Sequence, residues 1–112
     1  MENKKCVRCG LCKYECPVLR VMLNEKYSPR GKMIDIENIE DIAYYCTLCG
    51  ACEVSCPVSL EVPEKIREAR IKLVKAGKET QANKHMIENV RKFGNPFGEI
   101  KSGEKPKELY CC

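Results

Sequence analysis

Two cysteine runs constrain this chain more than any other feature. The first is Cys6-x2-Cys9-x2-Cys12-x3-Cys16-Pro17, and the second is Cys46-x2-Cys49-x2-Cys52-x3-Cys56-Pro57. Three thiols at steps of three wrap a tight loop, so their sulfurs can reach three corners of one small cage. This is the spacing of the bacterial iron–sulfur run, whose fourth cysteine ligates the other cluster in two-cluster proteins. The pattern therefore implies two [4Fe–4S] clusters with crossed ligation. Cys6, Cys9, Cys12 and Cys56 are assigned to the first, and Cys46, Cys49, Cys52 and Cys16 to the second. Pro17 and Pro57 have a fixed φ and no N–H, so each can open a helix just after its ligand. Gly10 and Gly50 follow the second cysteine of each run, where a residue without Cβ lets the backbone crowd the sulfides.

Rival uses of the thiols fit poorly. Zinc sites typically pair two CxxC units in tetrahedral ligation, not three evenly spaced thiols plus a fourth. Cysteines three apart in a tight loop make poor disulfide partners, and nothing marks the chain as secreted.

With 112 residues the chain is one small domain with a tail, and its own apolar core is thin. Much of the folding free energy is expected from the clusters, and the chain without iron and sulfide is expected to be largely unfolded. The formal charge is +4 with thiols neutral. Two oxidised clusters with eight thiolates bring about −4, so the basic excess reads as compensation. A nucleic-acid surface is not expected, since aromatics are 6% and tryptophan is absent. No apolar run approaches a membrane span, and no signal-peptide core follows Met1-Glu2-Asn3-Lys4-Lys5. A cytoplasmic location without direct membrane insertion is the expectation.

Between and beyond the runs the apolar spacing is helical. Val18, Val21 and Met22 predict a helix over 17–26. Ser28-Pro29 reads as an N-cap with proline in the first helical position. A stripe of Ile36, Ile39 and Ala43 carries the helical reading toward Cys46, with an extended piece over 33–36 as the alternative. Pro63 can start a further helix with Ile66, Ala69, Leu73 and Ala76 on one face, charged residues opposite, and Gly77 as its stop. A last helix over 79–93 aligns Ala82, Met86, Val90 and Phe93 before Gly94. The fold class is thus all-α, with residues 1–94 as the cluster domain and 95–112 as an irregular C-terminal docking tail. Residues 63–112 hold 12 basic and 7 acidic side chains. That half could cover the clusters or meet an acidic partner, or its charges are ordinary solvated helix faces.

The chain resembles heterodisulfide reductase C-type subunits and the N-terminal part of glycolate oxidase-type iron–sulfur proteins. The likeness rests on the paired cysteine runs with a helical spacer, on Ser28-Pro29-Arg30-Gly31-Lys32, and on Gly94-Asn95-Pro96-Phe97-Gly98. It covers about residues 6–98. The resemblance implies an alpha-helical ferredoxin fold and a place in a multisubunit oxidoreductase. A CCG-domain cysteine-rich subunit and a flavoprotein or hydrogenase-type partner would flank this subunit. The single-chain relatives continue into CCG domains, whereas here the sequence reads Leu109-Tyr110-Cys111-Cys112. The expected role is single-electron transfer, with no catalytic residue in this chain. The alternative is a free, diffusible two-cluster carrier serving several enzymes.

A few residues carry separate expectations. Arg30 and Lys32 sit in the first turn of a helix, where the dipole disfavours cations; they face the clusters or an anionic partner group, or bend into solvent. Arg8 and Lys13 lie in the first run, whereas Leu48 and Glu53 stand at those places in the second. Positive charge favours the reduced state, so the first cluster is expected to have the higher potential. Cys111 and Cys112 are either cluster ligands at a subunit interface or a redox-active vicinal pair, or else inert thiols or the remnant of a lost CCG domain. His85 reads as a surface residue.

Overall fold

The computed structural model describes residues 5–40 and 42–107, so the expectations for Cys111 and Cys112 concern positions outside the described residues. The fold is all-helical, with no strand among the described residues. By contacts the chain divides into two compact units, Met1–Lys75 and Ala76–Cys112.

The first unit is built from short helices, each started by a side chain that satisfies an orphan N–H. Helix α1 spans Pro17–Met22, with Cys16 as its N-cap and Pro17 in the first turn. It ends sooner than the apolar spacing predicts, because Leu23 turns left-handed (φ 51°) and Asn24 caps a separate 3₁₀ turn over Glu25–Tyr27. Helix α2 spans Pro29–Ile34. Ser28 caps it, its Oγ accepting from the Gly31 N–H at 2.8 Å. The expected continuation of helix toward Ala43 does not occur. Asp35 leaves the helical region at φ −125°, and its carboxylate accepts from Asn38 Nδ2 at 2.7 Å. Such local side-chain bonds compete with helical ones. Two 3₁₀ turns follow, Ile36–Asn38 and Ala43–Tyr45. Ile36, Ile39 and Ile42 recur every third residue, the period of that geometry; Ile39 and Ile42 are buried and Ile36 packs against the same cluster.

Helix α3 is a single turn, Ala51–Val54, inside the second cysteine run, where the first run has only the 3₁₀ turn Leu11–Lys13. Helix α4, Val62–Lys75, follows the predicted face. Ile66 and Leu73 are buried, Ala69 packs beside them, and Gly77 follows with φ 70°. Arg70 ties this helix to the second run by donating to Ala43 O at 3.0 Å and to Cys46 O at 2.5 Å. Among the described residues the main apolar cluster is Ile39, Ile42, Ala43, Cys52, Leu60, Val62, Ile66 and Leu73. So few buried side chains leave a unit of this size marginal without a further source of stability.

In the second unit, helix α5 spans Gln81–Phe93, capped by Thr80 and closed by Gly94 at φ 72°. The Asn95–Gly98 stretch then folds back on the helix. Asn89 Nδ2 donates to Pro96 O at 3.0 Å, and the Asn95 side chain accepts from Phe97 N at 2.9 Å. Among the described residues no helix is long and apolar enough to cross a membrane.

Gly31 is the tightest point of the fold. A Cβ there would lie 2.1 Å from the Glu25 carbonyl oxygen, backbone against backbone, so neither side can yield cheaply. Gly31→Ala is expected to cost about 3 kcal/mol or more. Gly77→Ala, whose Cβ meets nothing within 4 Å, carries only the left-handed penalty of about 1–2 kcal/mol. Thermal unfolding of the two variants under anaerobic conditions checks the order.

Candidate metal centres

The two cysteine runs fold into the same backbone shape. The second residue after the leading cysteine is left-handed in both, Arg8 at φ 60° and Leu48 at φ 57°, and so are Gly10 (82°) and Gly50 (79°). A left-handed Arg or Leu costs on the order of 1–2 kcal/mol, so its recurrence at matching places means that the surroundings impose it. The curled loops set the thiols of each run around a hollow rather than on a line.

Two cavities result. One is lined by Cys6, Cys9, Cys12 and Cys56. The other is lined by Cys16, Cys46, Cys49 and Cys52. Cys52 lines the first cavity as well as the second, so each cavity touches thiols of both runs. Among the described residues no three His, Cys, Asp or Glu side chains converge as the ligands of one ion would.

Pro29, Cys52 and Val62 line both cavities. They form a partition one side chain thick, so the twin sites are close neighbours. Beyond these, Val7, Met33, Val58 and Leu60 line the first cavity beside Arg30, and Val18, Leu48 and Pro63 line the second beside Lys32 and Thr47. Backbone N–H groups reach the sulfurs from Leu19 to Cys16 at 3.5 Å and from Leu48 to Cys46 at 3.4 Å. Bonds of this kind tune the electron affinity of a thiolate-held cluster. Burial pushes the Cys52 thiol up to about 11, with Cys46 and Cys12 adding to it. Burial, and then Cys6, raises Cys12 as well. Such thiols do not ionise unaided at neutral pH, whereas bound iron deprotonates a coordinating thiol. The donor set therefore fits the group that its spacing implies.

The Ser28–Lys32 segment sits at the partition, and each residue has a distinct task. Ser28 caps α2 and donates to Glu25 Oε1 at 3.0 Å. Pro29 belongs to the shared wall. Arg30 lines the first cavity, donates to Glu25 Oε1 at 2.8 Å and reaches Arg8 O at 3.4 Å. Lys32 lines the second cavity, only 2% exposed, its Nζ donating to Tyr27 O at 2.8 Å. Burial lowers its pKa, and the Cys46, Cys16 and Cys52 sulfurs oppose that shift. Of the two sequence readings for Arg30 and Lys32, the one in which they face the thiol sites is realised. The depth of Lys32 was not foreseeable from a basic residue two places after a helix-opening proline. His85 is exposed and lies in the second unit, apart from both cysteine sets in sequence.

The family described as a 4Fe–4S dicluster domain matches residues 2–60, more than half of the chain. No curated protein and no solved structure matches it.

Glu25 holds the first run to the partition through Lys13 at 2.8 Å and Arg30 at 2.8 Å. Its carboxyl is lowered to about 2, chiefly by Lys13 and then by Arg30 and Ser28. A depressed carboxyl stabilises the fold above its ordinary value of 4.5, and that contribution is lost as pH falls toward 2. Because the carboxylate is 41% exposed, screening limits the effect. Glu25→Gln is expected to destabilise the loaded protein by about 1 kcal/mol at pH 7. In melting curves the gap should stay constant down to pH 5 and begin to close by pH 4.

Proposed function

The chain belongs to the 4Fe–4S dicluster domain family, and on that premise we propose that it is the electron-transfer subunit of a multisubunit oxidoreductase. Its cofactors are two [4Fe–4S] clusters. When bound, each takes up and gives back one electron at a time. We assign Cys6, Cys9, Cys12 and Cys56 as ligands of one, and Cys16, Cys46, Cys49 and Cys52 as ligands of the other. The observation that carries the relay reading is the thin partition of Pro29, Cys52 and Val62 between twin thiol-lined cavities. Electron tunnelling weakens steeply with distance, so neighbouring sites sharing a wall form a path. The chain's own residues hold the sites in place, keep water from the inner faces and set the charge around them.

The proposed setting is a heterodisulfide reductase-like or glycolate/lactate oxidase-like assembly. This subunit passes single electrons between a flavin or hydrogenase-type partner and a CCG-type catalytic subunit. The Ser28–Lys32 and Gly94–Gly98 segments support this setting. So does the apolar surface of the first run, where Val7, Leu11 and Tyr14 are 58%, 52% and 77% exposed. A docking role for residues 95–112 is part of the same proposal.

Two measurements test the reading. Anaerobic preparations should contain about eight irons per chain. Cys16→Ser and Cys46→Ser should each abolish the same electron paramagnetic resonance (EPR) signal of the reduced protein, and Cys6→Ser and Cys56→Ser the other. Loss paired within runs, Cys16 with Cys6, would sink the crossed assignment. Anaerobic isolation from the native source should recover a stable complex with a flavin- or CCG-bearing companion. A chain that always elutes alone is the diffusible carrier instead.

A further inference from the structure

The cations of the first unit are distributed unequally between the two thiol sites, and opposite to their distribution in sequence. Lys13 and Arg30, beside the first site, share one carboxylate, Glu25, at 2.8 Å each. Arg8 is exposed, and its carbonyl, not its charge, is what the structure engages. Exposed and paired charges act weakly, because water and counter-charge screen them. At the second site Lys32 is buried in the cavity wall and bonded to a neutral carbonyl, and no described carboxylate pairs with it. Arg70 adds a half-buried guanidinium, bound to the carbonyls of Ala43 and Cys46 and lying 5.3 Å from the Tyr44 ring. Both cations at the second site thus rest on neutral groups, in a poorly screened place.

We propose that the second site is the higher-potential member of the pair and that the buried ammonium of Lys32 is a positioned charge that makes it so. Reduction adds one negative charge to a site already at about −2 with its four thiolates. A fixed positive charge nearby stabilises the reduced state more than the oxidised one, which raises the potential. An electron delivered to either site then comes to rest on the second: the first is oxidised by one electron as the second is reduced by one. This order reverses the expectation from Arg8 and Lys13. It also gives the relay a direction, with the first run as the entry and the second as the store. The inference rests on the two-cluster reading.

The experiment is an EPR-monitored anaerobic redox titration of the full chain loaded with about eight irons. Two one-electron steps are expected. Lys32→Gln should shift the higher step down by about tenfold in its equilibrium constant, or about 59 mV for one electron, leaving the lower step in place. Lys32→Arg, which keeps the charge, should leave both steps within a third of that shift. Thr47→Glu, on the exposed rim of the second cavity, should lower the same step as Lys32→Gln, and decides the matter alone if Lys32→Gln fails to load. The proposal is overturned if the lower step moves in its place, if neither moves, or if Lys32→Arg shifts as far as Lys32→Gln. A wild-type chain holding far fewer than eight irons would sink the two-cluster reading itself, a distinct outcome.

Discussion

The crossing of one thiol from each run into the other's cavity is the constraint on which the rest depends. The small apolar cluster of the described residues is little to hold the first unit in place by itself. With Cys56 lining the first cavity and Cys16 the second, each cavity brings together thiols 30 to 50 residues apart in sequence. Cluster binding and folding are then one event, as in small metal-nucleated domains. This also explains why the helices can be so short. A six-residue helix is unstable alone, but α1 and α2 have only to carry a capped turn from one ligand toward the partition.

The partition explains the Ser28–Lys32 segment in physical terms. Pro29 fixes the start of α2 and fills the shared wall. Gly31 lets that helix lie against the Glu25 backbone, so that α2 can enter the partition at all. Arg30 and Lys32, on either side of this glycine, then point to different cavities. A substitution at Gly31 therefore displaces both cations together with the wall.

Local chemistry was legible in the sequence and long-range placement was not. The cysteine spacing encodes the loop shape directly, and Ser28-Pro29, Gly77 and Gly94 act on their own neighbours, so these readings match the structure. The helix predicted through Ile39 failed because Ile36, Ile39 and Ile42 satisfy a three-residue period as well as Ile36, Ile39 and Ala43 satisfy a helical one. Asp35 and Asn38 then decide between them locally. Gly31 gave no signal of its role, since its backbone is ordinary and its neighbour is a carbonyl six residues earlier in the chain. Lys32 is harder still. Its importance lies in burial and in the absence of a described counter-charge, and neither is visible in a list of residues.

The two runs share a backbone form down to the left-handed residue between their first and second cysteines, yet differ in what stands around it. Identical cages would give identical sites, and an electron would have no preferred end. Here the loops provide equivalence, in matching left-handed turns and in thiols that line both cavities. The wall residues provide difference, with two cations sharing the one carboxylate of Glu25 at one site and, at the other, an ammonium that no described carboxylate pairs with. Ligand geometry is costly to vary, because a displaced thiol loses its iron. A charge in the wall is far cheaper to vary, because it acts through the field without touching the ligands. The asymmetry of a relay is therefore best written where this chain carries it, in the side chains behind the thiols.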